Sequence, residues 1–348
     1  MIRIAVIYGG QSTEHSISCI SAGAVMAHLS SERYEIYPVG ITRSGAWVEG
    51  ALDPVAGATL PEVSGKREVA LSLNPDRRGV FVDAASGEAL AQVDVVFPVL
   101  HGRFGEDGTI QGLLEMAGVP YVGPGVLASA CGMDKEYTKK LVRAEGVAVA
   151  EEVVLRAGQT LDDAQRARLG LPVFVKPASG GSSIGVSKVE SWEALDEAIA
   201  LAHESDGKVL VESELHGDEV EVGVIEHPDG RIEASVPARL NGTEDSAEGF
   251  YGFETKYLDN EVTATIPAPY DEATIAELKR LALRCFEALD CKSLARIDFF
   301  VTKDGPVLNE INTMPGFTPI SMYPQVWQAS GLAYPDLLDL LVTTALKR

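Results

Sequence analysis

The sequence predicts a mixed α/β protein: a lobe built on a doubly wound parallel sheet, followed by α+β lobes. Three observations carry this. Residues 2–41 run strand, glycine turn, helix, strand, the pattern of parallel strands joined by a crossover helix. Later strand-like segments turn back on themselves at Pro228-Asp229-Gly230 and at Lys303-Asp304-Gly305-Pro306, as antiparallel strands do. A chain of 348 residues also exceeds the usual size of one domain, so two or three lobes are expected.

The elements follow in order. Ile2 to Ile7 is a short apolar run ending in Gly9-Gly10, a buried strand feeding a tight turn. Apolar residues at helical spacing mark a helix from Ile17 to Leu29, and Tyr34 to Ile41 returns to strand character. Residues 43–92, rich in Gly, Pro, Asp and Ser, read as excursions or a hairpin at the lobe's edge. Val93 to Leu100 is another buried strand and Thr109 to Ala117 a short helix. The character changes near Gly123-Pro124-Gly125, which ends a first lobe over 1–123. Asp134 to Glu145 is a charged amphipathic helix, and Leu171 to Val175 is a strand. Ser191 is placed to cap a helix from Trp192 to Glu204. Lys208 to Glu212 is a strand, Glu219 to Leu240 antiparallel strands, and Asp271 to Leu289 a long helix. Residues 241–261 are polar with no clear period, the character of a mobile lid.

Composition narrows the partners. A formal net charge of −22 argues against nucleic acid or an anionic membrane, and any nucleotide site must gather its own Lys and Arg. Cys19, Cys131, Cys285 and Cys291 have neither zinc spacing nor the pattern of a disulfide framework, which suits thiols in a reducing cytoplasm. The N-terminal run lacks a signal-peptide pattern and no apolar run is long enough to span a bilayer, so a cytoplasmic location is expected.

The most informative motif is the hairpin Leu294 to Thr313. Alternation puts Arg296 and Asp298 on one face of the first strand, and Glu310 and Asn312 on one face of the second. Pairing the strands gathers three oxygen ligands beside one guanidinium, a set suited to Mg²⁺ shared with a nucleotide's phosphates. The loop Ser179 to Gly185 follows a strand and offers small side chains and backbone N–H groups for phosphates, without the Walker spacing. Lys176 lies at the end of that preceding strand. Glu14, at the mouth of the first strand, pairs with a substrate ammonium or serves as a first-turn helix acid; the sequence leaves both open. His101 ends another strand at the same edge and is either structural or part of the site. Lys256-Tyr257 sits in the lid-like stretch. After the hairpin, Met314-Pro315-Gly316-Phe317 offers backbone N–H groups to an oxyanion.

Together these segments resemble the D-alanine–D-alanine ligase family. The residues that carry the resemblance are Gly9 to His15, His101-Gly102 with Gly105 to Gly108, Lys176-Pro177 with Gly181 to Gly185, Lys256-Tyr257, Arg296-Ile297-Asp298, and Glu310 to Gly316. The match runs from Ile4 to about Pro324. It implies a two-subdomain ATP-grasp fold, over 124–212 and 213–348, behind the N-terminal lobe, and ligation of two D-alanine molecules through an acyl phosphate, for peptidoglycan precursors. It also implies ATP and two Mg²⁺ (or Mn²⁺) held by Asp298, Glu310 and Asn312, and a homodimer. Lys135, Lys176, Lys256, Ser182, Ser183 and Asn309 would serve the nucleotide, with Glu212 and Glu219 at its adenine and ribose. Glu14 would hold the first substrate's ammonium, and Ser321, with His101 nearby, the carboxylate of the second. Tyr257, Ser182 and Glu14 would latch the lid, while Arg296 and the Gly316 N–H meet the oxyanion. Alternatives are a D-alanine–D-lactate ligase, against which Tyr257 speaks, another ATP-grasp carboxylate–amine ligase, and a non-catalytic nucleotide-binding protein.

Overall fold

The computed structural model describes residues 1–52, 60–181, 184–242, 263–318 and 320–348. Its first sheet has the order β3-β2-β1-β7 and holds β1 (Ile2–Gly9), β2 (Tyr34–Ile41), β3 (Trp47–Glu49) and β7 (Val95–Val99). β1 pairs in parallel with β2 and β7, and β3 closes one edge antiparallel. Alternation splits β1 between two cores. Ile4, Val6 and Tyr8 face α1 (His15–His28), and Ala5 and Ile7 face the opposite side. That opposite side is covered by α2 (Thr109–Ala117) and a small antiparallel sheet of β4 (Val69–Leu71), β5 (Val80–Asp83) and β6 (Ala89–Gln92). The expected edge excursion thus contains a sheet of its own.

A glycine is required where β1 turns. Gly9 has φ +91°, and a Cβ there would lie 2.3 Å from the Ile41 carbonyl oxygen. The turn is then tied by His15, which bonds the Gly10 carbonyl through Nδ1 and accepts the Val63 N–H at Nε2.

Beyond α3 (Val126–Met133) and α4 (Lys135–Ala144) come two antiparallel sheets. One has the order β10-β9-β11-β8 and is formed by β8 (Glu152–Arg156), β9 (Val173–Pro177), β10 (Ser187–Val189) and β11 (Lys208–Ser213). Against it pack α5 (Asp163–Leu169), started by an Asp162–Gln165 capping box, and α6 (Leu195–His203). The other runs β15-β14-β12-β16-β17, with β13 on β12. It comprises β12 (Asp218–Glu226), β13 (Ile232–Ala234), β14 (Ala238–Asn241), β15 (Thr263–Thr265), β16 (Leu294–Thr302) and β17 (Gly305–Asn312). α3, α4 and α7 (Glu272–Ala288) bury its inner face. α8 (Met322–Ala329) and α9 (Tyr334–Lys347) return to the first lobe, where Leu337, Leu338 and Leu341 join the α1 core.

Two expectations need correction. Ser191 makes no side-chain cap; its hydroxyl is drawn to the Glu193 carboxylate instead. The helix expected from Trp192 opens as a 3-10 turn, Trp192–Ala194, before α6 begins at Leu195. The lid-like stretch lies mostly in 243–262, outside the described residues.

Candidate active site

The hairpin β16–β17 pairs Arg296 with Asn312 and Asp298 with Glu310, the register expected from alternation. One feature breaks strict alternation. Phe299 pairs with Leu308 while Asp298 pairs with Glu310, so Asn309 is the extra residue of a β-bulge. The bulge lets Leu308 and Ile311 enter the core while Asn309, Glu310 and Asn312 all line a cavity of about 500 Å³. Asp298 accepts two bonds from Arg296, at 2.8 and 2.7 Å, and a third from Asn312 Nδ2 at 2.8 Å. Burial opposes charge on Arg296, yet Asp298 and Glu221 outweigh it and raise its pKa well above the usual value.

The N-terminal lobe forms the facing wall. Glu14 directly precedes α1, and its side chain makes no capping hydrogen bond there. Its carboxylate borders the cavity between two loops. A Cβ on Gly102 would lie 2.7 Å from Glu14 Oε2, and one on Gly181 would lie 3.3 Å away. His101 is buried; Nδ1 faces the Met314 carbonyl at 3.1 Å and Nε2 faces Ser21 Oγ at 3.0 Å. A carbonyl can only accept, so Nδ1 carries the hydrogen and neutral Nε2 accepts from the Ser21 hydroxyl. Burial lowers the His101 pKa against the pull of Glu14, in keeping with that neutral form. Glu106 accepts from Gly102 N at 2.6 Å and from Met314 N at 3.1 Å. Burial, helped by the nearby Glu14 carboxylate, pushes Glu106 up to about 8, so at pH 7 it is mostly protonated. His101 and Glu106 therefore grip both polar groups of Met314 and hold the segment after the hairpin against the first lobe.

On that segment Gly316 and Ser321 meet. A Cβ on Gly316 would lie 2.7 Å from Ser321 Oγ, which bonds Thr318 Oγ1 at 2.7 Å and accepts its N–H at 3.0 Å. Ser321 stands at the start of α8, where backbone N–H groups and the helix dipole favour a carboxylate.

The third wall is cationic. Lys135 Nζ reaches the Gly180 carbonyl at 2.6 Å in the loop that borders the cavity. Burial pushes its pKa down, against the pull of Glu310. Lys176 is bound to Glu212 at 2.6 Å, and Glu212 also pairs with Lys139. Burial resists ionisation of Glu212, but Lys139 and Lys176 prevail and hold it down at about 2. Glu219 is half-buried at the start of β12. Ser182, Ser183, Lys256 and Tyr257 lie outside the described residues. The structure thus brings Glu14, His101, Lys135, Arg296, Glu310, Asn312 and Ser321 to one cavity and sets Glu212 and Lys176 in a buried ion cluster beside it. Sequence reasoning passed over Glu106, Glu221 and Lys139. Glu106 lay inside the quoted Gly105 to Gly108 motif, the one signal that marked it.

Two antiparallel sheets meeting at a cavity with a lysine on one side and an acid–amide hairpin on the other define an ATP-grasp ligase fold. Family models described as D-ala D-ala ligase N-terminus and D-ala D-ala ligase C-terminus match residues 3–124 and 141–343. A D-alanine–D-alanine ligase of Corynebacterium glutamicum is 61% identical over 351 residues, covering 100% of this chain and 97% of the relative. That of Corynebacterium diphtheriae is 60% identical over 353 residues, covering 100% and 96%. Among solved structures, the D-alanine–D-alanine ligase of Coxiella burnetii superposes with a TM-score of 0.84 at 32% identity, covering 99% of this chain and 94% of that one. A D-Ala:D-Ser ligase of Enterococcus faecalis superposes at 0.85 and 35% identity, covering 99% of each. The chain belongs to the D-alanine–D-alanine ligase family.

Proposed function

We propose that the protein joins two D-alanine molecules into D-alanyl-D-alanine, driven by ATP, as a step in making peptidoglycan precursors. The observation that carries this is the cavity where the Glu14 carboxylate, the Lys135 ammonium, the Arg296 guanidinium and the Glu310 and Asn312 side chains of the hairpin converge, with Asp298 bonded to Arg296 and Asn312 at its edge. A substrate with both an ammonium and a carboxylate, placed against a nucleotide's phosphates, uses every one of these groups.

The hairpin fits a divalent cation. Its donors are hard oxygens, and among the described residues no three His, Cys, Asp or Glu side chains form a complete cage. Two carboxylates and an amide suit an ion whose remaining ligands are phosphate oxygens. Asp298, Glu310 and Asn312 would hold two Mg²⁺ (or Mn²⁺) ions, with Glu310 between them, and the ions would neutralise phosphate charge during transfer.

The carboxylate of the first D-alanine attacks the γ-phosphate, giving an acyl phosphate and ADP. The amine of the second then attacks the acyl carbon, and phosphate leaves the tetrahedral intermediate. The chain's part is placement and charge. Glu14 holds the first ammonium. Lys135, Lys176 and Lys256 meet phosphates, with the N–H groups around Ser182 and Ser183, and Asn309 stands beside the cation ligands. Glu219 and Glu212 serve the ribose and the adenine side, and the Glu212 carboxylate also anchors Lys176. Ser321, at the start of α8, takes the second carboxylate with His101 behind it. Arg296 and the Gly316 N–H receive the oxyanion. Tyr257 and Ser182 complete a latch with Glu14 that keeps water from the acyl phosphate.

We also take the first lobe to end at 123/124, supported by its separate sheet and by the N-terminal family model ending at residue 124. The expected cut at 212/213 falls inside β11, whose Ser213 still pairs with Val173, so that lobe ends after Ser213, while α3 and α4 pack on the C-terminal sheet. A homodimer is supported by Met116, Val126 and Leu127, exposed apolar side chains on the neighbouring helices α2 and α3. A cytoplasmic site fits four free thiols and the lack, among the described residues, of any helix long and apolar enough to cross a membrane. Chiral product analysis tests the substrate assignment. With ATP, Mg²⁺ and D-alanine, D-alanyl-D-alanine is expected. Preferential incorporation of D-lactate, D-serine or L-alanine at the second position would overturn it.

A further inference from the structure

Across three neighbouring strands the register sets Glu221 beside Asp298 and Asp298 beside Glu310. Three carboxylates therefore stand abreast on one face, an arrangement that repels itself unless cations intervene. The cation on the adjacent rung is Arg296, whose side chain is only 13% exposed. Its Nε–H and Nη2–H both point at Asp298, at 2.8 and 2.7 Å, while Glu221 Oε2 lies 3.0 Å from the same Nε. Glu221 is itself buried and borders the cavity. Asp298 thus accepts from Arg296 at both oxygens and from Asn312 at Oδ2, which takes three of its roughly four acceptor sites, and a guanidinium that swings onto Glu221 would free two of them for a divalent cation.

We propose that Glu221 is a positioning residue that receives the Arg296 guanidinium when Asp298 takes up the divalent cation. The exchange keeps Arg296 charged, in place and aimed into the cavity, where the oxyanion forms. Without the Glu221 charge, Arg296 stays on Asp298 and competes with the ion. The inference rests on reading the hairpin as a cation site.

The test is Mn²⁺ titration of the full chain with saturating ADP, read by electron paramagnetic resonance. Glu221→Gln is expected to weaken Mn²⁺ binding about 10-fold or more, the usual cost of losing a residue that orients a metal ligand. In an Arg296→Met background, which removes the competing cation, Glu221→Gln should have no further effect. Unchanged affinity in the single variant would overturn the proposal. So would equal weakening in both backgrounds, which would make Glu221 a direct ligand. Should Glu221→Gln lose the native circular dichroism, Glu221→Asp shortens the reach to Arg296 and is expected to weaken binding about 10-fold, the low end of the usual range, with wild-type affinity counting against the idea. Mn²⁺ binding needs no turnover, so a protein that made no dipeptide would still decide the role of Glu221.

Discussion

Lys139→Met removes one side chain from the buried ion cluster that Lys139, Lys176, Glu152 and Glu212 form. Lys139 is 1% exposed and lies between Glu212 and Glu152, each 7% exposed. Methionine fills nearly the same volume, so packing is kept and charge alone is lost. Glu212 retains Lys176 at 2.6 Å, but Glu152 is left with Arg143 at 3.4 Å, whose own side chain is half exposed. Breaking a buried pair by deleting one partner costs about 3–5 kcal/mol, and the surviving lysine places this case near the lower end, about 3 kcal/mol. The pH dependence has a definite sign. Glu212 is held at about 2, below the 4.5 of a free glutamate, so its contribution is full above pH 4.5 and is lost as pH falls towards 2. Urea unfolding at pH 7 should therefore show the full deficit, and the gap between wild type and variant should narrow below pH 4.5. A loss under about 1 kcal/mol at pH 7, the range of an exposed pair, or a gap that widens on acidification would refute the reasoning.

Three further outcomes follow from the same geometry. Glu310→Gln keeps the shape of β17 while removing the proposed bridging charge; turnover should fall by more than about 100-fold with an unchanged melting temperature, and near-normal activity would contradict the assignment. Glu106 is pushed up to about 8 in the fold, so the native state holds a proton the unfolded chain loses near 4.5. Stability should thus fall as pH rises from 4.5 to 8, and Glu106→Gln should flatten that slope in calorimetric melts at pH 5.5 and 8.5. A Cβ at Gly316 would lie 2.7 Å from Ser321 Oγ, so Gly316→Ala should raise KM for the second substrate about 10-fold. ATP binding, followed by calorimetry, should stay as in wild type.

The hairpin was legible because period-two alternation and one turn determine a register, and with it the meeting of Arg296, Asp298, Glu310 and Asn312. The bulge at Asn309 was not, since one inserted residue changes the facing of Leu308 and Ile311 without altering composition. Glu106, Lys139 and Glu221 were passed over for a shared reason. Each is a charged residue that local sequence would leave to solvent, and only tertiary packing from another lobe or strand buries it. α9 was invisible in the same way: its apolar face covers a sheet formed some three hundred residues earlier. Ser191 shows the converse, a good capping residue drawn off by a neighbouring glutamate.

The most direct test of carboxylate activation follows the oxygen. D-Alanine labelled with ¹⁸O in its carboxylate is turned over with ATP and Mg²⁺, and the released phosphate is analysed by mass spectrometry. One ¹⁸O per phosphate, with one D-alanyl-D-alanine formed per phosphate, is the expected result. Dipeptide formed alongside unlabelled phosphate, or phosphate released without dipeptide, would contradict the account.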